Sequence, residues 1–148
     1  MTLHLLMNFP PWNNDRRTSF DSFMTAFPKW EALGWDYALF MRHRPRRESE
    51  LLPGGSVYCR WGGQILWRMP ITGFMPVQEW NPDIGARWHA HTAVLLSCAV
   101  RMVRPTSAGF MRGFRYLEEA DAPPDLPATA AEPGPELERV LDGLGVRP

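Results

Sequence analysis

Two β-prone runs, at 56–61 and 64–71, are separated by nothing but Gly62-Gly63. That dipeptide constrains the fold more than any other feature. A two-residue hairpin loop needs positive φ, which glycine adopts without steric cost. The spacing predicts an antiparallel hairpin with Trp61 opposite Gln64 and Tyr58 facing Trp67. In that register Val57, Cys59, Trp61, Leu66 and Arg68 line one face. Ser56, Tyr58, Arg60, Ile65 and Trp67 line the other. Both faces then carry large apolar groups, which suits a small barrel better than a sheet with one wet side. Just upstream, residues 45–52 read as a short helical turn anchored by Leu51 and Leu52 and stopped by Pro53-Gly54-Gly55.

The remaining elements follow from periodicity. Residues 2–7 suit a first strand, with Leu3, Leu5 and Met7 on one side and His4 on the other. Residues 8–17, with Pro10 and Pro11, form a loop. Thr18 and Asp21 fit a capping box, and Phe20, Phe23, Met24 and Phe27 fall at helical spacing. Pro28 is expected to kink or end that helix. A second strand is expected at 35–42, with Trp35, Tyr37, Leu39 and Met41 on one face. Pro70 is expected to mark a strand end or edge. Residues 73–91 read as irregular, 92–103 as strand and 110–117 as a final strand or extended arm. Prolines at 123, 124, 127, 133 and 135, among acids and alanines, read as a linker or disordered tail. The expected fold class is α+β: one domain over 1–120, a small mixed or antiparallel β-barrel with one N-terminal helix. A disordered acidic Pro-rich tail follows at 121–148, with room for a short helix at 136–144.

A chain of 148 residues is long enough to bury a core. The net charge is zero, but residues 42–115 hold eleven arginines against four acids, and 116–148 hold eight acids against two arginines. Lys29 is the only lysine, so the positive charge is almost all guanidinium, planar and able to stack. Cys59 and Cys98 make no disulfide framework, which points to a reducing cytoplasm. No apolar run is long enough to span a bilayer. Residues 1–9 lack a basic n-region and do not read as a signal peptide.

Three stretches resemble a bacterial family of about this length, domain of unknown function 1489. They are the N-terminal Met-Thr-Leu-His-Leu; Glu50-Leu51-Leu52-Pro53-Gly54-Gly55-Ser56-Val57-Tyr58 with Arg46, Arg47 and Arg68 around it; and Gly113-Phe114-Arg115-Tyr116-Leu117 running into Asp121-Ala122-Pro123-Pro124-Asp125-Leu126. The chain departs from the family pattern at 59–62 and in having Phe114 where the family favours tryptophan. The resemblance implies a family and no function. One level up, the glycine corner and hairpin are similar to the PUA-like barrels, including the ASCH and EVE domains. Many of those bind RNA or modified bases, which is an analogy of fold alone.

No phosphate loop, nucleophile elbow or spaced zinc quartet is present. His89 and His91 alternate and are weak metal candidates without a spaced third ligand, so no metal and no cofactor is expected. Cys59 among Val57 and Trp61 reads as inert core. Guanidinium groups mixed with stacking rings are the better signal, because single strands and everted bases are held that way. The expected interface comprises Arg44, Arg46, Arg47, Arg60, Trp67, Arg68, Arg112, Arg115 and Tyr116, and the expected partner is RNA or another nucleic acid. The expected function is a non-catalytic binding module. The alternatives are a small enzyme acting on a nucleotide-like substrate and a protein-interaction subunit.

Overall fold

The computed structural model describes residues 2–85, 91–129 and 134–145. Strand β1 (Leu3–Asn8) leads through the proline loop to helix α1 (Arg16–Ala32), strand β2 (Asp36–Met41) and the short turn α2 (Glu48–Leu51). The hairpin β3 (Ser56–Trp61) and β4 (Gln64–Pro76) follows, then two helical turns, α3 (Val77–Trp80) and α4 (Pro82–Gly85). Strands β5 (Thr92–Ser97), β6 (Arg101–Ser107) and β7 (Phe114–Glu118) come next. A 3-10 turn at Glu119–Asp121, β8 (Asp125–Thr129) and helix α5 (Pro135–Gly145) complete the order. Among the described residues no helix is long and apolar enough to cross a membrane.

The strands join one mixed sheet in the order β2-β5-β4-β3-β1-β7, with β6 bridging β4 and β8. β1 runs parallel to β3 and antiparallel to β7. β4 passes straight through Pro70 and serves two partners on one side: Trp67 lies opposite Met102 of β6, and Phe74 opposite Val94 of β5. The strand expected at 92–103 is therefore present but broken. The Val100 N–H turns back to the Cys98 carbonyl at 2.9 Å. The expected barrel does not close, since among the described residues the edge strand β7 pairs with neither β2 nor β8.

Local signals moved in places. Asp15, rather than Thr18, caps α1, accepting the Thr18 N–H at 3.1 Å. The helix continues through Pro28 to Ala32, where the packing of Phe27 and Trp30 offsets the one backbone bond that proline removes. The glycine corner has a steric cause. A Cβ on Gly55 would sit 2.3 Å from the Leu51 carbonyl and 2.7 Å from that of Leu3. Gly62 and Gly63 have φ of 57° and 85°, as a primed turn requires.

The hairpin register needs a correction. Trp61 does pair with Gln64 and Arg60 with Ile65, but Cys59 pairs with Trp67 and Tyr58 with Arg68. Leu66 is an extra residue in a β-bulge. A one-residue slip moves every later side chain to the opposite face. Trp67 therefore joins Val57 and Cys59 in the core, and Arg68 joins Tyr58 outside it.

Helices α1 and α5 cover the core face. Phe20, Phe27, Trp61, Trp67, Leu137 and Leu141 are all within 1% of full burial. The indole N–H groups of Trp61 and Trp67 find no acceptor among the described residues. Leaving each unpaired costs roughly 1–3 kcal/mol, against roughly 4–6 kcal/mol from burying an indole, so burial wins. The tail is a second correction as to disorder, while the short helix expected at 136–144 is present as α5. β8 pairs with β6, and α5 buries Leu137 and Leu141 while Arg17 donates to Glu138 at 2.8 Å and to Asp142 at 3.1 Å. The helix was legible in the spacing of Leu137, Val140 and Leu141, but its docking on α1 was not, because that depends on tertiary packing.

Candidate nucleic-acid interface

The sheet face turned away from α1 carries the polar chemistry. Along β1, His4, Leu6 and Asn8 alternate onto it. Strand pairing sets Tyr58 beside Leu6, Arg60 beside Asn8 and Arg115 across from Leu6. Leu6, Tyr58, Ile65, Val103 and Met111 form a small buried cluster in the middle of this face. The polar groups are thereby split between two ends.

At the hairpin end, Asn8, Arg16, Arg60 and the Gly62-Gly63 turn line a cavity of about 430 Å3. Arg60 donates from Nε to the Ala108 carbonyl at 3.2 Å and from Nη1 to Asn8 Oδ1 at 2.9 Å. The 108–113 loop is tied down beside it. Ala108 N–H donates to the Gly63 carbonyl at 2.9 Å, and Asn8 Nδ2 donates to the Met111 carbonyl at 3.1 Å. This loop carries Arg112, and Arg115 donates to the Phe110 carbonyl at 3.1 Å. Phe110 and Trp12 are exposed, at 76% and 57%. Among the described residues Arg16, Arg60, Arg112 and Arg115 have no carboxylate partner.

The other end is a smaller cavity of about 280 Å3 lined by His4, Tyr58, Arg68, Glu119 and Asp125. His4 is buried. It accepts the Ser56 N–H on Nδ1 at 2.9 Å, so the ring proton sits on Nε2, which donates to Glu119 Oε2. Arg68 grips Asp125 with two bonds of 2.8 Å and donates to Ser56 Oγ at 3.1 Å. The Arg68 hydrogen bond holds the Asp125 carboxyl below its ordinary range. Burial, partly countered by Arg68, pushes the Tyr58 hydroxyl up.

The nine arginine and aromatic candidates thus fall into separate groups. Arg60, Arg112 and Arg115 come together at the hairpin end. Arg44 pairs with Glu48. Arg47 pairs with Glu50 at 2.7 Å and lies 5.2 Å from the Tyr116 ring centroid, while its N–H donates to the Tyr116 hydroxyl at 3.1 Å. Arg46 is exposed beside them. Arg68 belongs to the His4 end, and Trp67, fully buried, offers no ring to solvent. His89 lies outside the described residues. His91 precedes β5, and its carbonyl accepts the Val77 N–H at 3.0 Å. Among the described residues no group of three or more His, Cys, Asp or Glu could hold a metal ion. Cys59 is wholly buried, which pushes its thiol well up, as expected of inert core. Trp12, Arg16 and the His4–Glu119 pair were not anticipated. No local signal links His4 to a carboxylate 115 residues away.

These features define a mixed α and β protein built on one open sheet, with a cationic end and a paired-charge end on the same face. Residues 25–147 match the family model described as Protein of unknown function (DUF1489), and the chain belongs to that family. No curated protein and no solved structure matches it. The three stretches that carry the family resemblance converge on the His4 cavity, which Thr2, His4, Gly54, Tyr58, Pro123 and Asp125 help to line.

Proposed function

We propose that the protein is a non-catalytic module that binds single-stranded nucleic acid, RNA above all, across its hairpin end. The observation that carries this is a cavity lined by Arg16 and Arg60, with the 108–113 loop that carries Phe110 and Arg112 tied to the Gly62-Gly63 turn and Arg115 bonded to that loop, none of the four arginines having a carboxylate partner among the described residues. A cationic groove tracks phosphates and flanking rings stack bases, which needs no particular sequence. The PUA-like barrels remain an analogy, resting on the glycine corner and hairpin. The open sheet departs from them.

A salt titration of labelled single-stranded RNA tests the reading. The log–log slope should be about −0.7 per phosphate neutralised. Arg60→Ala should weaken binding to every sequence alike, and Trp12→Ala should cost roughly 1–3 kcal/mol of binding if its ring stacks a base. No binding at low salt overturns the proposal.

A further inference from the structure

We propose that β2 is a self-association edge, along which two copies of this chain pair antiparallel and join their sheets. β2 ends the sheet, and among the described residues it pairs with β5 alone. The backbone groups on its other side are a template for a further strand. The other strands with a single partner, β7 and β8, are blunted. Arg47 engages β7, donating its N–H to the Tyr116 hydroxyl at 3.1 Å and reaching Glu118 at 3.6 Å. β8 carries Pro127 at its centre, and proline has no N–H to offer a new strand. β2 has neither device. It contains no proline, lysine or arginine, and its register with β5 runs without a bulge from Asp36 to Met41. Leu33 and Trp35, just before it, are 60% and 58% exposed. The Trp35 N–H is tied to the Trp30 carbonyl at 2.9 Å, which fixes this apolar patch at the entry to the strand.

The occupant is a second copy because the strand complements itself. Asp36 opens β2 and Arg42 follows directly after it, both exposed and without an ion-pair partner among the described residues. Asp36 accepts the neutral Thr72 hydroxyl at 3.1 Å, which leaves its charge uncancelled. Residues directly opposite one another in an antiparallel pair share a face, so the positions that pair across a two-fold axis sum to an even number. Two such registers overlap nearly all of β2. Centred on Ala38, the pairing sets Asp36 opposite Phe40 of the partner subunit, and neither charge is met. Centred on Leu39, it sets Asp36, Tyr37 and Ala38 opposite Arg42, Met41 and Phe40 of the partner subunit. Opposite charges then face each other at both ends, and a small residue faces a large one between them, so the second register wins. A foreign strand with one charge would satisfy one end alone. β2 shares no residue with the hairpin-end cavity, so this pairing stands or falls apart from nucleic-acid binding.

The test is sedimentation velocity of the full chain at about 1–100 μM, where a dimer should form. Asp36→Arg and Arg42→Asp each place like charges opposite one another at both ends. Each should raise the dimer dissociation constant roughly tenfold or more and leave Tm unchanged. Mixing the two variants restores opposite charges at both ends, so the mixture should dimerise although neither variant does so alone. A wild-type chain that stays monomeric across this range overturns the proposal. So does a dimer that survives both reversals, which would use another face. A mixture that fails to dimerise overturns the antiparallel register and the proposal with it. Should either reversal lower Tm, Trp35→Glu takes its place, since that ring already lies in solvent. Loss of the dimer at unchanged Tm then supports the edge, and retention overturns it.

Discussion

Arg60 and Arg68 stand on the same face of the same hairpin, yet their surroundings differ. Arg68 has its guanidinium fork closed by Asp125, which arrives from 57 residues away, and by Ser56. Arg60 meets only neutral acceptors, the Ala108 carbonyl and the Asn8 amide. The first is a structural clamp on β8, and the second leaves its charge uncompensated beside the hairpin cavity among the described residues. The comparison teaches that a count of arginines describes a surface poorly until the carboxylates have been placed.

The most disruptive way to break this contrast is to remove α5. Its acids Glu138 and Asp142 pair with Arg17, so they do not compete for the hairpin end. Deleting residues 134–148 exposes the sites of Leu137 and Leu141. It should cost roughly 3–6 kcal/mol, with a fall in Tm on the order of 10 °C or more. RNA affinity, measured below the new Tm, should change by no more than about twofold. Much tighter binding would mean that the C-terminal acids reach the hairpin arginines after all.

Gly63→Val is the next largest perturbation. Gly63 has φ of 85°, a region closed to a β-branched side chain, so the change should cost roughly 1–3 kcal/mol. The same turn holds Ala108 and lines the hairpin cavity, so RNA affinity should fall with stability. Chemical denaturation alongside a binding titration checks both.

Replacing each arginine in turn sharpens the contrast directly. Arg68→Ala should cost about 1–2 kcal/mol, the range for charge-assisted hydrogen bonds reduced for partial exposure, and leave oligouridine binding unchanged. Arg60→Ala should do the reverse, lowering affinity with little change in Tm. If Arg68→Ala weakens RNA binding while the fold persists, the two ends are not separate.

The smallest effect is in pH. Arg68 holds Asp125 below the ordinary carboxylate range in the folded chain. The stability from this pair is therefore fully present above about pH 4 and lost as pH falls through the folded value. The Tm difference between wild type and Asp125→Asn should be constant near neutrality and shrink in acid. A difference that does not shrink at all as the pH falls well below the ordinary carboxylate range would place the stabilisation elsewhere.

Much of the chain was legible because its signals are local. The Gly62-Gly63 turn, the aromatic stripe of α1, the strand at β2 and the stop at Gly54-Gly55 each depend on residues a few positions apart. Pro28 and residues 123–129 misled for the opposite reason: packing by Phe27 and Trp30, and the pairing of β8 with β6, outweigh local propensity, whereas the helix at 136–144 was legible and only its docking was not. Of the candidate interface, Arg60, Arg112 and Arg115 were nameable from composition, but their isolation from carboxylates was not.

The sequence by itself determined which residues are charged, which turn the chain, and which family it belongs to. Only the tertiary structure decided which face each residue occupies and which charges cancel. One extra residue at Leu66 put Trp67 in the core and Arg68 outside it, because side chains in a strand alternate with a period of two. Strand order then brought Glu119 to His4 and Asp125 to Arg68 across 115 and 57 positions. Such pairings depend on how a sheet is threaded, which no local pattern of residues records.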